Sequence, residues 1–504
     1  KSAGALRKWT KPKVPWEPLV PQSAREAKPR LGEPPETAPA GETHQHVAMM
    51  DPQTAANAAL QEWESIWRYQ VDWAAPWFEP PAVDEPMLPP ILGHHALHSC
   101  KAFSGLGESN IHPRLWAQGP AVGLAGLGSI LNCIERGSDW PVSQQCIIFW
   151  LQPKPKGGVR NLGLLPELAR VWEKIRRPDI QKWQNRNPRA YDWAAKGRSA
   201  ERAAWMQGLL TEGSLAQGEA IATTYYDLRK CYETVLHSLI WSGGLRGGFP
   251  KPLLRVILSV FSSMRRAVLN GCYTEGNFWA QGIVAGSVFG PLCLSLVLIG
   301  AIDDLRDVAA AAALHTKLTD EIAFAFEQVL KLQVSRGRGG KTVVAVSHGR
   351  VERQFGNQNK QMGIQVVREA VHLGVTQSAA RRRRVGAQSK RTMEAKARSW
   401  NIQRVKAAGG AAEKVVKLGI VPSELYGTRV QGATDTLITT LRQTVAAAFP
   451  GCNKGRSAAL VLLAEDADPA VLANAGPIVE WARAWQEATD IATRDLLVAS
   501  WRSW

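Results

Sequence analysis

The sequence predicts an α+β fold, because stretches with the apolar period of a helix alternate along the chain with short runs typical of buried strands. The chain has 504 residues, of which 45% are hydrophobic, so it is long enough for two or three domains with a large core. The pattern predicts helices at 121–136, 168–185 and 198–210, and strands at 146–151 and 220–226.

The N-terminal part of the chain, residues 1–90, differs in composition from the rest. Residues 1–45 are rich in Pro, Lys, Glu and Ala without apolar periodicity, which is typical of a disordered leader or linker. Between 52 and 80, Trp63 and Trp67 recur at helical spacing, and we interpret them as core rather than as a surface for stacking bases. Because the chain begins with Lys1, we expect a fragment of a longer product.

Further strands are predicted in the second half of the chain. Two short strands, 314–319 and 322–326, are expected to flank Asp320 and Glu321 as a compact hairpin. Strands are also predicted at 341–346 and 370–375, and the chain beyond Arg381 is predicted to be largely helical.

The charge of the chain favours a polyanionic partner. The formal net charge is +17, and residues 328–410 alone carry 18 Lys or Arg against three Glu. This segment includes the run Arg381, Arg382, Arg383 and Arg384. A solvated basic face or a sorting signal is the alternative, but a long basic segment is also suited to phosphate contacts that do not depend on base sequence.

The cysteines indicate a reducing, intracellular setting. Seven Cys are scattered singly, so neither disulfides nor a zinc knuckle are expected. His94, His95, His98 and Cys100 form a small cluster, but no second ligand pair lies at the spacing of a zinc site.

Residues 280–302 form an apolar stretch without charges, which is long enough to cross a membrane. Glycines and Pro291 break its first half, and Asp303 and Asp304 close it immediately. We therefore predict a buried helix entered from a glycine-rich loop, and no membrane partner.

Asp227 is a lone carboxylate at the end of the predicted strand 220–226, and the aromatic Tyr232 follows five residues later. This pattern is typical of a polymerase metal site. A polymerase joins a nucleotide to a primer end with two divalent cations about 4 Å apart, and such cations prefer oxygen ligands. Asp227 and Asp320 can supply them, with Glu321 and the carbonyl of Leu228 as further ligands. The predicted cofactor is two Mg²⁺ ions, with Mn²⁺ as a substitute.

Six short segments of the chain match motifs of a known protein family and occur in the same order as in that family. They are the basic turn 154–160 with Leu162-Gly163-Leu164-Leu165-Pro166 after it, the segment 227–232, the loop 282–291, Asp320-Glu321, Gly340-Lys341-Thr342 and Leu373-Gly374-Val375. In this order they resemble the reverse transcriptase family, above all the polymerases of non-long-terminal-repeat retrotransposons and group II introns. The resemblance covers about residues 111–427.

The resemblance implies a right-hand polymerase architecture. Fingers would span 91–215, a palm with an antiparallel sheet 216–376, and a basic helical thumb 377–450, with a helical extension of unknown role at 451–504. It also implies that Asp227, Asp320 and Glu321 are catalytic. Nucleotide contacts would come from Lys154, Arg160, Tyr232, Gly286 and Lys341, and template or primer contacts from Gly282, Ser287, Leu373, Gly374 and the four arginines 381–384.

The chain departs from the family pattern at the second metal position. Family members carry an aromatic, a variable residue and two Asp, whereas this chain has Leu318-Thr319-Asp320-Glu321. The longer Glu side chain displaces a carboxylate by about 1 Å, which slows a reaction that depends on geometry. Asp303 and Asp304 are a rival pair, but they come too early for the family spacing.

The sequence therefore predicts an intracellular, nuclear RNA-directed DNA polymerase of a retroelement, with an RNA template, a DNA primer and deoxynucleoside triphosphates as partners. A catalytically degenerate relative that only binds RNA is the first alternative. An RNA-templated RNA polymerase is the second, because only Tyr232, whose bulk would reject a 2′ hydroxyl, argues for deoxynucleotides. The sequence leaves the oligomeric state open.

Overall fold

The computed structural model describes residues 52–92, 105–153, 159–189, 197–269, 271–303, 319–337, 339–347, 362–378, 386–449 and 457–503, with a few single residues between them. Helices and strands are mixed within it, which confirms the α+β class. Several predictions lie outside the described residues: the leader up to residue 51, the cluster at 94–100, Asp304, Lys154, the arginines 381–384 and the strand predicted at 314–319, of which only Thr319 is described, as part of a helix.

The first sheet has four strands in the order β2-β1-β4-β5. Strand β1 (Cys146–Pro153) pairs antiparallel with β2 (Val159–Leu164) and parallel with β4 (Met264–Leu269), and β5 (Cys272–Tyr273) closes the edge beside β4. The predicted strand at 146–151 is confirmed.

Strand β1 is apolar on both faces, as expected of a strand that is covered on both sides. Ile147 and Phe149 point into the main core, while Cys146 and Ile148 join a smaller cluster on the opposite face. The alternation follows from the two-residue period of an extended chain.

Helices surround this sheet and build the main core. Trp63 and Trp67 are 3% and 1% exposed, which confirms that the tryptophan stripe is core. The helices of this half of the chain are α1 (Pro52–Glu64), α2 (Ala121–Glu135), α3 (Glu167–Arg186), α4 (Ala200–Ala216), α5 (Cys231–Thr234), α6 (His237–Arg246), α7 (Lys251–Phe261) and α8 (Gly290–Asp303).

The second sheet has three strands in the order β3-β6-β7. Strand β3 (Ala222–Tyr225) pairs antiparallel with β6 (Val343–Val346), whereas β6 and β7 (Gln365–Val367) are parallel. The sheet predicted to be antiparallel is therefore mixed. The strands predicted at 220–226 and 341–346 are confirmed in shorter form.

Strands β8 (Glu369–His372) and β9 (Val375–Ser378) form a separate hairpin. Its two turn residues, Leu373 and Gly374, have φ of 49° and 80°, and positive φ at both positions is the mark of a type I′ turn. The single strand predicted at 370–375 is wrong, because the chain reverses at this glycine.

The apolar stretch at 280–302 divides as predicted into a loop and a buried helix, since α8 begins at Gly290. Within the part of the chain that the structure describes, no helix has both the length and the apolar character needed to cross a membrane.

The C-terminal half is helical, as predicted, and contributes two further apolar clusters, one centred on Val416 and Val445 and one on Trp205 and Leu497. Its helices are α9 (Gly386–Ala407), α10 (Ala412–Val415), α11 (Val421–Glu424), α12 (Thr428–Gln431), α13 (Asp435–Ala448), α14 (Ala458–Ala464), α15 (Pro469–Glu487) and α16 (Ile491–Ser503).

Candidate functional site

Asp227 lies just beyond β3, where hydrogen bonds to its backbone fix its position. Its amide donates to the Thr342 hydroxyl at 3.0 Å, and its carbonyl accepts from the Ser335 amide at 2.7 Å. The Asp227 side chain is half-buried, and within the described residues its carboxylate has no hydrogen-bond or ion-pair partner. Asp227 therefore presents a carboxylate on a rigid backbone, which is what a ligand or catalytic group needs.

Tyr232 lies against the glycine-rich loop 282–291. The Tyr232 carbonyl accepts from the Ile283 amide at 2.6 Å. A Cβ added to Gly290 would lie 3.1 Å from the Tyr232 ring, so the absence of a side chain there lets the ring pack closely. Tyr232 also lines a cavity of about 470 Å³ together with Trp183 and Pro291.

The same loop rests on the edge of the first sheet. A Cβ added to Gly286 would lie 1.8 Å from the Gly163 carbonyl oxygen, and one added to Gly163 would lie 2.4 Å from Val284. Only two residues without side chains allow the β2 backbone and the loop to touch in this way. Three segments far apart in sequence, around Gly163, Tyr232 and Gly286, therefore meet at one place.

A buried carboxylate that the sequence analysis did not single out holds the tip of this loop. Glu173 of α3 accepts hydrogen bonds from the Ser287 hydroxyl and, at 3.2 Å, from the Val288 amide. The Ser287 hydroxyl in turn accepts from the Phe289 amide at 3.0 Å. One signal was present in the sequence. Glu173 lies four residues after Ala169 and therefore falls on the same face of the predicted helix, which the structure shows to be the buried face.

Burial raises the pKa of Glu173 to about 7, despite the hydrogen bonds that favour its ionised form. Because the folded chain then binds this proton more tightly than the unfolded chain, the contribution to stability is complete below about pH 4.5 and is lost as pH rises through about 7. We expect the free energy of unfolding to fall by up to about 3 kcal/mol over this range.

Glu173→Gln removes this titration and keeps a side chain of the same shape. Urea unfolding of both proteins between pH 5 and 8 gives the difference that belongs to Glu173, since all other groups titrate in both. A parallel pH dependence in the two proteins would contradict the prediction.

The start of the loop is fixed by a buried Arg and a buried His. Arg265 donates to the Gly282 carbonyl at 3.2 Å and stacks over the Trp67 ring at 5.0 Å. His237 Nε2 lies 3.2 Å from the same carbonyl, and burial, with the nearby Arg265, lowers the pKa of His237 to about 3. Neutral His237 therefore donates from Nε2, and Arg265 carries the charge of this cluster.

These contacts decide which loop residues are available to a ligand. Gly282 and Ser287, for which the family resemblance implies nucleic-acid contacts, are both buried. Ala285, Gly286 and Val288 are the exposed residues at the tip of the loop.

Asp320 and Glu321 lie within helical turns, because residues 319–324 are helical and 325–329 continue as a π-helical turn. The strand predicted at 322–326, and with it the hairpin, is wrong. The segment nevertheless lies against the strand that leads to Asp227. The Tyr226 hydroxyl donates to the Thr319 carbonyl at 3.1 Å, and the Thr319 and Thr224 hydroxyls are 3.3 Å apart.

Asp227, Asp320 and Glu321 do not converge on one point in this structure. Successive residues on a helix point about 100° apart, so Asp320 and Glu321 do not face one point. Among the described residues, no group of three or more His, Cys, Asp or Glu side chains comes together as a metal site. Asp227 alone has the setting expected of a ligand.

Lys341 is exposed and lies beside Thr342, the residue whose hydroxyl holds the Asp227 amide. The Lys341 amide donates to the Ser335 hydroxyl at 3.2 Å. Arg160 is exposed on β2, and the rival Asp303 ends α8.

The turn of the β8–β9 hairpin contacts the helical C-terminal half. The Leu373 carbonyl accepts from the Tyr426 hydroxyl at 2.8 Å, and the Gly374 carbonyl accepts from Arg391. Arg391 also donates to the Tyr426 carbonyl at 3.0 Å. The hairpin and helix α9 are therefore joined through polar contacts.

Leu373 carries backbone strain, because a branched side chain at positive φ costs about 1 kcal/mol or more. Since the side chain is 42% exposed, Leu373→Asn should relieve strain with little loss of packing. We expect the free energy of unfolding to rise by about 0.5 kcal/mol, measured by urea denaturation. A loss of stability would show instead that the leucine side chain contributes more packing than its exposure indicates.

No protein-family model matches the chain, and a comparison with curated proteins finds no match either. The assignment of function therefore rests on the chain's own residues.

Proposed function

We propose that the protein is a polymerase of the reverse transcriptase type, which extends a DNA primer on an RNA template with two Mg²⁺ ions as cofactor. The observation that carries the proposal is the meeting of the segments around Gly163, Tyr232 and Gly286, since Tyr232 follows Asp227 by five residues in the chain. A right-hand arrangement of fingers, palm and thumb is part of the proposal. When bound, the ions would activate the primer hydroxyl and neutralise the leaving pyrophosphate.

The chain's own residues have separate tasks in this proposal. Tyr232 would limit the room beside the sugar of the incoming nucleotide, since its ring is held against Gly290. Gly286, which is exposed at the tip of the loop, would contact a templating base through its backbone. Lys341 and Arg160, both exposed, would attract the triphosphate, together with Lys154.

The test is extension of a DNA primer on an RNA template in Mg²⁺ or Mn²⁺, by the full chain and by Tyr232→Val. We expect the parent to use deoxynucleotides, and we expect the variant to accept ribonucleotides about 10- to 200-fold better, because a smaller side chain no longer excludes the 2′ hydroxyl. Tyr273→Val, at an exposed tyrosine on β5, is the matched control.

Unchanged ribonucleotide use in Tyr232→Val would indicate an RNA-templated RNA polymerase. Absence of extension by the parent chain under all conditions would overturn the proposal of a polymerase.

The helical setting of Asp320 favours a second candidate, a reverse-transcriptase-like protein that binds RNA without copying it. A helix in place of the hairpin leaves Asp227 without two partner carboxylates facing the same point. RNA affinity without extension, in the parent and in Glu321→Asp, would support this candidate.

Both candidates predict that the arginines 381–384 contribute to RNA binding. Replacing all four by Ala should reduce the slope of log affinity against log salt by about 3, since each neutralised phosphate of a single strand contributes about 0.7. The slope is measured by fluorescence anisotropy with a labelled RNA at salt concentrations from about 50 to about 300 mM. An unchanged slope would show that the run is a solvated face.

A further inference from the structure

The outer face of helix α15 (Pro469–Glu487) presents apolar side chains to solvent. Large apolar residues on this face are between 38% and 65% exposed, and they are Val471, Leu472, Ile478, Val479 and Trp485. The other exposed residues of the same face are small or uncharged: Asn474, Ala475, Ala482 and Gln486. A surface helix of a globular protein ordinarily turns charged and polar residues outward. The outer face of α15 therefore has the composition of a contact surface.

The inner face of α15 fixes the helix to the rest of the chain. The buried Glu480 carboxylate pairs with Arg429 at 2.5 Å and with Arg483 of its own helix at 3.4 Å. A Cβ added to Gly476 would lie 3.0 Å from the Arg429 side chain, so the two segments are in close contact. Glu480 and Arg483 are the two charged residues between 469 and 486, and they are used in this pairing. The outer face is therefore uncharged and is held in place before any partner binds.

The exposed Trp501 of α16 extends this face. The Trp481 ring connects the two helices, since its centroid lies 5.5 Å from Trp485 and 4.8 Å from Trp501. Trp501 is 51% exposed. At roughly 150–250 Å² of full area for each large residue, the exposed fractions on α15 and Trp501 amount to on the order of 600 Å². This is the upper end for apolar patches on monomers, and it approaches the area of about 800 Å² that each partner contributes to a standard interface.

The charge around the outer face argues against a nucleic acid as its partner. Residues 457–504 carry seven Asp or Glu against three Lys or Arg, whereas the net charge of the whole chain is +17. Phosphates are bound by Lys and Arg, and helices that lie on anionic membranes carry these residues beside their apolar face. An uncharged face in acidic surroundings suits neither, so a protein surface fits it better.

The order of large and small residues makes the outer face complementary to itself. Val471, Ile478 and Trp485 recur every seven residues, and Ala475 and Ala482 lie four residues after the first two. This is the spacing of a helix that packs along a second helix. In an antiparallel pair about a two-fold axis, Ile478 of one protomer faces Ala482 of its partner, and Trp485 faces Ala475 in the same way. Each large side chain then rests on a small one, so the two helices can approach closely.

We propose that the protein forms a two-fold symmetric dimer through the outer face of α15. The 19 residues of this helix span about 28 Å, which is long enough for both layers of large and small residues. The same patch is used by both protomers, as a two-fold interface requires. The proposal goes beyond the polymerase function and does not depend on it, because the oligomeric state is measured without primer extension.

The test is sedimentation equilibrium of the full chain from about 0.1 to about 100 µM, a range that brackets a micromolar Kd. The protein is treated with nuclease and measured in about 0.5 M salt, which weakens contacts through residual RNA and leaves apolar contacts intact. We expect the parent chain to form a dimer with a Kd on the order of micromolar.

Ala482→Glu places a carboxylate opposite Ile478 of the partner. Position 482 is exposed in the protomer and Glu is a good helix former, so the fold should be kept, which circular dichroism checks. The Kd of the dimer should rise by about 100-fold or more, because a buried charge without a partner opposes association. Ala125→Glu, at an exposed alanine of α2, is the matched control and should dimerise like the parent.

Mixing two variants tests both the partner and the register. Ile478→Lys should dissociate the dimer as Ala482→Glu does. In an equimolar mixture of the two variants, the introduced ammonium group faces the introduced carboxylate in one layer, and the native contact of Ile478 with Ala482 remains in the other. The mixture should therefore form a heterodimer with a Kd within about 10-fold of that of the parent.

Three results would each overturn the proposal: a parent chain that stays monomeric up to about 100 µM, a dimer that persists in Ala482→Glu, or a mixture of the two variants that stays monomeric. Binding of the parent to phosphatidylserine vesicles that is lost in Ala482→Glu would also overturn it, because the face would then belong to a membrane surface.

Discussion

Gly286→Ala is expected to lower the free energy of unfolding by about 4 kcal/mol. Overpacking usually costs about 1–3 kcal/mol because side chains can shift. Here the new methyl group would lie 1.8 Å from the Gly163 carbonyl oxygen, which is backbone held in the β1–β2 ladder. Urea unfolding measures the change.

Gly126→Ala is the matched control for this substitution. Gly126 lies in α2, where an added Cβ meets nothing within 4 Å. We expect Gly126→Ala to be neutral or to stabilise the chain by about 0.5–1 kcal/mol, since Ala favours a helix over Gly. If Gly286→Ala is as harmless as the control, the contact between the glycine loop and β2 does not exist as described.

Asp227→Asn is expected to lower the rate of primer extension by about 100-fold or more. The substitution keeps the shape of the side chain and removes the charge that holds a cation. It should leave the unfolding free energy nearly unchanged, because within the described residues the carboxylate makes no hydrogen bond or ion pair. RNA affinity should also be retained.

Asp495→Asn, at an exposed aspartate on α16, provides the comparison and should extend primers like the parent. Single-turnover extension with saturating nucleotide separates loss of chemistry from loss of binding. Equal rates for Asp227→Asn and the parent would remove Asp227 from the proposed catalytic residues.

Local patterns predicted much of this fold. The strand at 146–151 is a continuous apolar run, and the α3 helix follows its apolar period, so both were found with nearly correct bounds. The glycine loop was also found, because Gly282 and the helix start at Gly290 interrupt an otherwise apolar stretch. In each case the information lies within about ten to twenty neighbouring residues, which is the reach of a periodicity argument.

The contacts that hold the candidate site were not predictable in this way. The bond between Glu173 and Ser287 joins residues 114 positions apart, and no local period reports on such a pair. The segment at 319–324 is a second example. Glu321 and Ala323 favour a helix, but the other four residues are weaker helix formers, so local propensity does not predict the helical turns at this position.

The contact between α4 and α16 can form only after nearly the whole chain has been synthesised. Trp205 and Leu209 of α4 are buried against Leu497 and the end of α15, and Arg202 forms an ion pair with Glu487, 285 positions later. At ribosomal rates this separation corresponds to a delay on the order of tens of seconds. During that time the apolar face of α4 lacks its partner and stays exposed on the nascent chain. Exposed apolar surface of this kind promotes aggregation, so this face is where a chaperone would protect the unfinished protein.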